Sequence, residues 1–281
     1  MPFTSAAILK NAVLVEVELA RGALAMSVVA TLRRTYHGRH FRACGLRDGD
    51  VKGLIDPFIG FDNAWVSAGM LLPHPQASFE AASYLFLDSE TGMRHGSSPD
   101  DFAIIRPGGL LWSMVGTGES CEEVPLETDK TVHAFHVLMR SPHERASAPP
   151  FTSSLEPQDV PVVRLPGARI RVLLGRYGVA RSPLKASTDV TLLDISLAEG
   201  SELIVPVPAG ECAFAMPIFG AVDVDGNRFD HGDLKIPIFP ARADPQRITL
   251  RAIQRPAKVA LFGGRPLHQS YPKNQEKHHV L

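Results

Sequence analysis

The sequence predicts an all-β protein built as two β-sandwiches or barrels in succession. Gly and Pro each occur 23 times in 281 residues, which breaks the chain too often for long helices and favours short strands joined by turns. The apolar residues come in short runs rather than long helical stripes. A proline-rich stretch divides these runs into two blocks. Hydrophobic residues make up 44% of the chain and charged residues 21%, enough apolar material for one large domain or two medium ones.

Taken in order, residues 1–30 read as an N-terminal extension, compatible with a strand around 13–19 or a short helix over 20–32. Residues 31–140 form the first block. Its apolar runs include SYLFL at 83–87, DFAIIRPG at 101–108 and VHAFHVLM at 132–139. Turn compositions separate them, such as ETG at 90–92, GSSPDD at 96–101 and GTG at 116–118, where Gly supplies positive φ and Pro fixes it negative. Residues 141–161 carry Pro142, Pro149, Pro150, Pro157 and Pro161. That density excludes a central strand or regular helix and reads as an extended linker.

Residues 162–267 form the second block, with ARIRVLLG at 168–175, VTLLDISLAEG at 190–200, CAFAMPIFGAVDVDG at 212–226 and KVALFGG at 258–264. Asp225-Gly226 signals a two-residue hairpin turn. Residues 268–281 form a polar tail. No fixed short period is present, which excludes a solenoid or propeller.

The formal net charge of −1 gives no general attraction to nucleic acid or to an anionic membrane. Arg33, Arg34, Arg39 and Arg42 read as a solvated local patch. Cys44, Cys121 and Cys212 are odd in number and widely spaced, which fits free thiols in a reducing, cytoplasmic compartment. No apolar run is long enough to span a bilayer, and the N-terminus lacks the pattern of a secretory signal.

Several colinear blocks resemble the pirin family. Leu54-Ile55-Asp56-Pro57-Phe58 is similar to its LDPF segment, and Pro73-His74-Pro75-Gln76-Ala77-Ser78-Phe79-Glu80 to PHPHRGFE. Arg106-Pro107-Gly108-Gly109-Leu110-Leu111-Trp112 resembles RPGDVQW, and Gly116-Thr117-Gly118 resembles GRG. In the second half, Arg171–Gly175, Ser182–Leu184 and Pro206–Gly210 fall where pirins carry similar blocks, and Phe262-Gly263-Gly264-Arg265-Pro266-Leu267 resembles LLGGRPL. The resemblance spans about residues 50–270. It implies a bicupin: two cupin-type barrels, the first holding one metal, typically iron, on three His and one Glu. Some members resemble quercetin 2,3-dioxygenases, and others act as regulators.

The family ligands come in two pairs, each with one residue between. Residues i and i+2 on a strand point to one face, so each pair can place two donors in a barrel lumen. Here the matched positions are His74 and Gln76, then Cys121 and Glu123. One His and the Glu are retained, and two His positions have become Gln and Cys. A Gln amide oxygen is a weak donor, and a Cys thiolate favours zinc over non-haem iron. His136 is a candidate substitute ligand, against the commoner reading of a His hydrogen-bonded within the sheet. His133 is expected to support a turn, His95 to face solvent, and Trp112 to pack in the core. Cys121 is a candidate reactive thiol with His74 as its base, against a buried inert Cys. His231 and Asp233 read as a turn, leaving the second barrel metal-free and structural.

The favoured reading is a pirin-like protein with an altered metal pocket, acting as a small-molecule-binding or regulatory protein with a small-molecule or protein partner. The cofactor is one divalent metal, iron by resemblance or zinc by donor set, or none. The alternatives are a quercetin 2,3-dioxygenase-like iron enzyme with Glu123 at its centre, and a zinc- or Cys121-dependent enzyme in the same pocket.

Overall fold

The computed structural model describes residues 27–73, 79–96, 102–114, 120–145 and 151–268, with the side chains of 70–73, 120 and 121 left aside. Among the described residues the regular structure is strand, with two short 3-10 turns at Asp48–Val51 and His143–Arg145. No helix is long and apolar enough to cross a membrane.

The strands form two similar units. In the first, a seven-stranded sheet runs in the order Phe151–Leu155, Leu110–Met114, Phe79–Leu85, Val132–Arg140, Phe58–Val66, Phe41–Arg47, Arg33–His37. A four-stranded sheet of Met70–Pro73, Ser120–Pro125, Met93–Gly96 and Phe102–Ile105 packs on it. Ala64, Val66, Leu111, Val132 and Ala134 of the large sheet meet Met93 and Ile105 of the small one.

The second unit repeats the plan. Its seven-stranded sheet is ordered Val28–Thr31, Lys235–Phe239, Cys212–Phe219, Ala257–Gly264, Val190–Leu197, Ala168–Leu174, Val162–Leu165, and its four-stranded sheet Glu202–Val207, Gln246–Ala252, Ala221–Val224, Asn227–Asp230. The all-β, two-barrel architecture is therefore that of a bicupin. Asp225 and Gly226 join two of these strands with φ of 49° and 85°, the paired positive values that a two-residue hairpin requires.

Two segments differ from their expected roles. Within the N-terminal extension, Val28–Thr31 is a strand, pairing antiparallel with Lys235–Phe239 in the second barrel. The chain thus completes its second barrel before it enters the first. Within the supposed linker, Phe151–Leu155 is an edge strand on Leu110–Met114. These five residues contain no proline and alternate in burial, with Leu155 buried, so an edge position accommodates them. Residues 1–26 and 269–281 lie outside the described residues.

A third apolar cluster joins the barrels. Phe61 of the first stacks on Phe214 and Phe262 of the second, with ring centroids 5.2 and 5.3 Å away. Phe58 meets the same two rings edge-on, and Phe135 lies 5.2 Å from Phe262. The resembling blocks meet here as well. A Cβ on Gly264 would sit 2.7 Å from Pro57 Cδ, so only glycine permits this approach of the C-terminal block to the LIDPF segment. Arg171 donates to the carbonyl of Gly108 at 2.7 Å, fastening the RPGG turn from across the interface.

Tyr84 makes a further polar link between the barrels. Its hydroxyl donates to Asp194 Oδ2 at 2.6 Å, and Lys258 Nζ is 3.7 Å from the same oxygen. Burial, foremost, and the neighbouring Asp194 hold the Tyr84 hydroxyl well above its ordinary range, so it remains a neutral donor. Tyr84→Phe should destabilise the protein by about 1–3 kcal/mol by leaving the buried carboxylate short of a donor. Denaturant unfolding should show a lower midpoint with an unchanged slope.

Candidate functional site

The strand Val132–Arg140 sets the site. Val132 and Ala134 join the interior of the first barrel, while Phe135, Val137 and Met139 join the inter-barrel cluster. By the period of two, His136 shares the face of Val132 and Ala134. Its neighbour in register is Ser83 on Phe79–Leu85. From the four-stranded sheet come Glu123 and His95, directly paired on Ser120–Pro125 and Met93–Gly96.

Glu123 is fully buried, and His95 and His136 are 7% and 6% exposed. Ser83 Oγ donates to Glu123 Oε1 at 3.0 Å, and His95 Nδ1 lies 3.0 Å from the same oxygen. Because Ser83 spends its one hydrogen on Glu123, the 3.3 Å contact between Ser83 Oγ and His136 Nδ1 is donated by the imidazole. In a neutral ring Nε2 is then an acceptor, and it faces Glu123 Oε2 at 3.4 Å. Both of these atoms are buried and lack a hydrogen-bond partner. Two facing acceptor lone pairs are stable together only with a cation between them, a proton or a metal ion. Burial pushes the Glu123 carboxyl up, but His136, then the His95 and Ser83 contacts, outweigh it and hold the group below its ordinary range. The carboxylate is ionised at neutral pH.

Of the sequence-derived candidates, Glu123 and His136 come together. His74 and Gln76 lie outside the described residues, as does the side chain of Cys121. The backbone still places their segments: Pro73, next to His74, is paired with Ser120, next to Cys121. Among the described residues no group of three His, Cys, Asp or Glu is arranged to hold a metal. The donor types that remain, a carboxylate oxygen and an imidazole nitrogen, suit a divalent first-row metal.

His95, expected at the surface, is instead buried against Glu123. The turn residues that follow it hid the alternation of MRHG, in which Met93 and His95 are buried in turn. Ser83 was not singled out because a serine in an apolar run carries no chemical signal until its register partner is known. His133 does hold a turn. Its carbonyl accepts from Ser89 Oγ at 2.8 Å and its ring stacks on Trp65 at 4.6 Å. Trp112 is packed in the core, 2% exposed.

Two cupin-type barrels, the first enclosing a buried carboxylate between imidazoles, define the class. No protein-family model matches the chain. Pirin-1 of Arabidopsis thaliana is 27% identical over 201 residues, covering 71% of this chain and 68% of the relative. Among solved structures, a quercetin 2,3-dioxygenase from Acinetobacter baumannii superposes with a TM-score of 0.75 at 20% identity, covering 89% of this chain and 91% of that one. The bacterial pirin YhhW from Escherichia coli, in complex with nickel(II), gives a TM-score of 0.66 at 16% identity over 86% and 100%. The chain is thus similar to pirins, pirin-like proteins and putative quercetin 2,3-dioxygenases, and shares their two-barrel fold.

The thiols are testable at this point. Burial pushes Cys44 up to about 11, with Asp62 adding to the rise. Burial, aided by Asp56, pushes Cys212 up to about 12. Neither forms thiolate readily near pH 8. In the native protein an Ellman-type reagent should therefore find no fast reaction at Cys44 or Cys212. Any rapid release should belong to Cys121 and vanish in Cys121→Ser, while full unfolding exposes every thiol.

Proposed function

We propose that the first barrel is a small-molecule pocket centred on Glu123 and His136, and that the protein acts as a cytoplasmic ligand-binding or regulatory protein rather than an oxygenase. The observation that carries this reading is that one oxygen of Glu123 is already committed. Its Oε1 is committed to Ser83 and His95, so only Oε2 and His136 Nε2 are left to share a cation. Iron sites that activate dioxygen generally use two imidazoles and a carboxylate with open positions. At the matched positions this chain offers Gln76 and Cys121 in place of two of those imidazoles.

The metal that the resemblance implies would be held by Glu123 and His136, with His74, Gln76 and Cys121 as the further matched donors. When bound, it would supply a Lewis-acidic point for an oxygen of the ligand. The chain's own groups do the rest. Ser83 and His95 fix the carboxylate, and the apolar interior around Ala64, Val66 and Ala134 excludes water. The second reading, a quercetin 2,3-dioxygenase-like enzyme, is favoured by the fold shared with the Acinetobacter protein.

Tag-free protein loaded with Fe(II), Ni(II) or Zn(II) and then desalted distinguishes these readings by elemental analysis. The expected result is up to one metal per chain, lost in Glu123→Gln and in His136→Ala, with no metal-dependent consumption of a flavonol. Flavonol turnover with Fe(II) that Glu123→Gln abolishes would overturn this reading in favour of the dioxygenase. Metal retained by both variants would overturn the assignment of donors.

A further inference from the structure

The second barrel has its own opening, a cavity of about 300 Å³ lined by strands of both its sheets and by the segment at Arg176–Gly178. That volume is at the small end of the range for ligand pockets. The walls are buried apolar side chains, Leu193, Val205, Val207 and Leu261. Two charged groups of opposite sign, Arg176 and Glu211, line the same cavity.

Neither of these two side chains has a hydrogen bond or ion pair among the described residues. Arg176 is exposed and Glu211 half-buried. Arg265 acts on Glu211 through its charge, while its own hydrogen bond goes to the carbonyl of Ala209 at 3.3 Å and its Nη1 lies 2.8 Å from where a Cβ on Gly210 would stand. Glu211 instead extends over the strand Ala257–Gly264, with Oε2 3.9 Å from where a Cβ on Gly263 would stand. Burial lifts its carboxyl above the usual range; Arg265 and, less, Arg176 offset part of the rise and Asp189 adds to it, as for a carboxylate that has lost water without gaining a direct hydrogen bond. A folded chain normally pairs such groups when they are close, because a half-desolvated charge without a partner is costly. Here a half-buried carboxylate and an exposed guanidinium line one apolar cavity without a hydrogen bond between them.

We propose that the mouth of the second barrel binds a small zwitterion with an apolar side chain, of the α-amino acid class. Glu211 takes the ammonium. Arg176 takes the carboxylate through its two-pronged donor face. Leu193, Val205, Val207 and Leu261 take the side chain. The site lies in the barrel that holds no matched metal position, and it stands independently of the reading given for the first.

Isothermal titration calorimetry with leucine tests it, beside two molecules that each lack one charge: 4-methylpentanoate and 3-methylbutylamine. The expected result is saturable binding of leucine, with both half-molecules weaker by about tenfold or more. Glu211→Gln should weaken leucine by a similar factor and leave 4-methylpentanoate unchanged, and Arg176→Ala should do the converse with 3-methylbutylamine. Both substitutions are at the rim, and an unchanged melting temperature confirms that the barrel is intact. Glu123→Gln in the first barrel should bind leucine as the parent does. The proposal fails if leucine binds no better than its halves, if Glu211→Gln and Arg176→Ala leave its affinity unchanged, or if no saturable heat appears at millimolar leucine.

Discussion

The contact of Phe58, Phe61 and Phe135 with Phe214 and Phe262 is the constraint from which the rest of the structure follows. Each barrel alone would present a broad apolar sheet face to water, and hydrophobic burial on that scale dominates folding. Once the two faces are joined, the large sheets are buried on both sides. This is why a strand such as Cys212–Phe219 reads as an almost unbroken apolar run, buried over seven of its eight residues. The interface also sets the phase of the central strands. With Phe135 and Val137 committed to the partner barrel, Ala134 and His136 can only face inward.

That inward phase brings His136 to Glu123, and the chemistry of the pocket follows from the cost of burying a carboxylate. A fully buried ionised Glu survives only when several groups compensate it. Ser83 and His95 do so at one oxygen. The other oxygen meets His136 Nε2 without a hydrogen bond, so half of the carboxylate is structural and half is available. The link from Tyr84 to Asp194 uses the same logic at the interface, where a buried phenol hydroxyl donates to a buried side-chain oxygen.

The fold was legible because its signals are local. Turn residues at Asp225-Gly226, alternation in ARIRVLLG and the colinear family blocks all survive without knowledge of tertiary contacts. Two segments whose partners the sequence did not reveal depend on the opposite kind of signal. Val28–Thr31 becomes a strand only by pairing with residues about two hundred positions away, and Phe151–Leu155 only by finding the free edge of Leu110–Met114. Of the site, Glu123 was named through the resemblance, as the match to the family's carboxylate, and the structure buries it beside His95 and His136. His136 was half legible: the large apolar residues flanking it fix its face, but only if the partner barrel is known to cover the other side. His95 was obscured by the turn sequence that follows it, although Met93 two residues earlier carried the phase.

The two barrels then differ in how they leave polar atoms unpaired. In the first, Glu123 and His136 are buried, and their two facing acceptors, 3.4 Å apart, leave a place for a single cation. In the second, Glu211 and Arg176 both line a cavity of about 300 Å³ with apolar walls. Buried polar groups in folded proteins are overwhelmingly satisfied, so the exceptions mark where the chain has left an interaction to be completed from outside. On this argument the first barrel offers the pair Glu123 and His136, while the second has a cavity whose walls are apolar and whose lining carries both signs of charge.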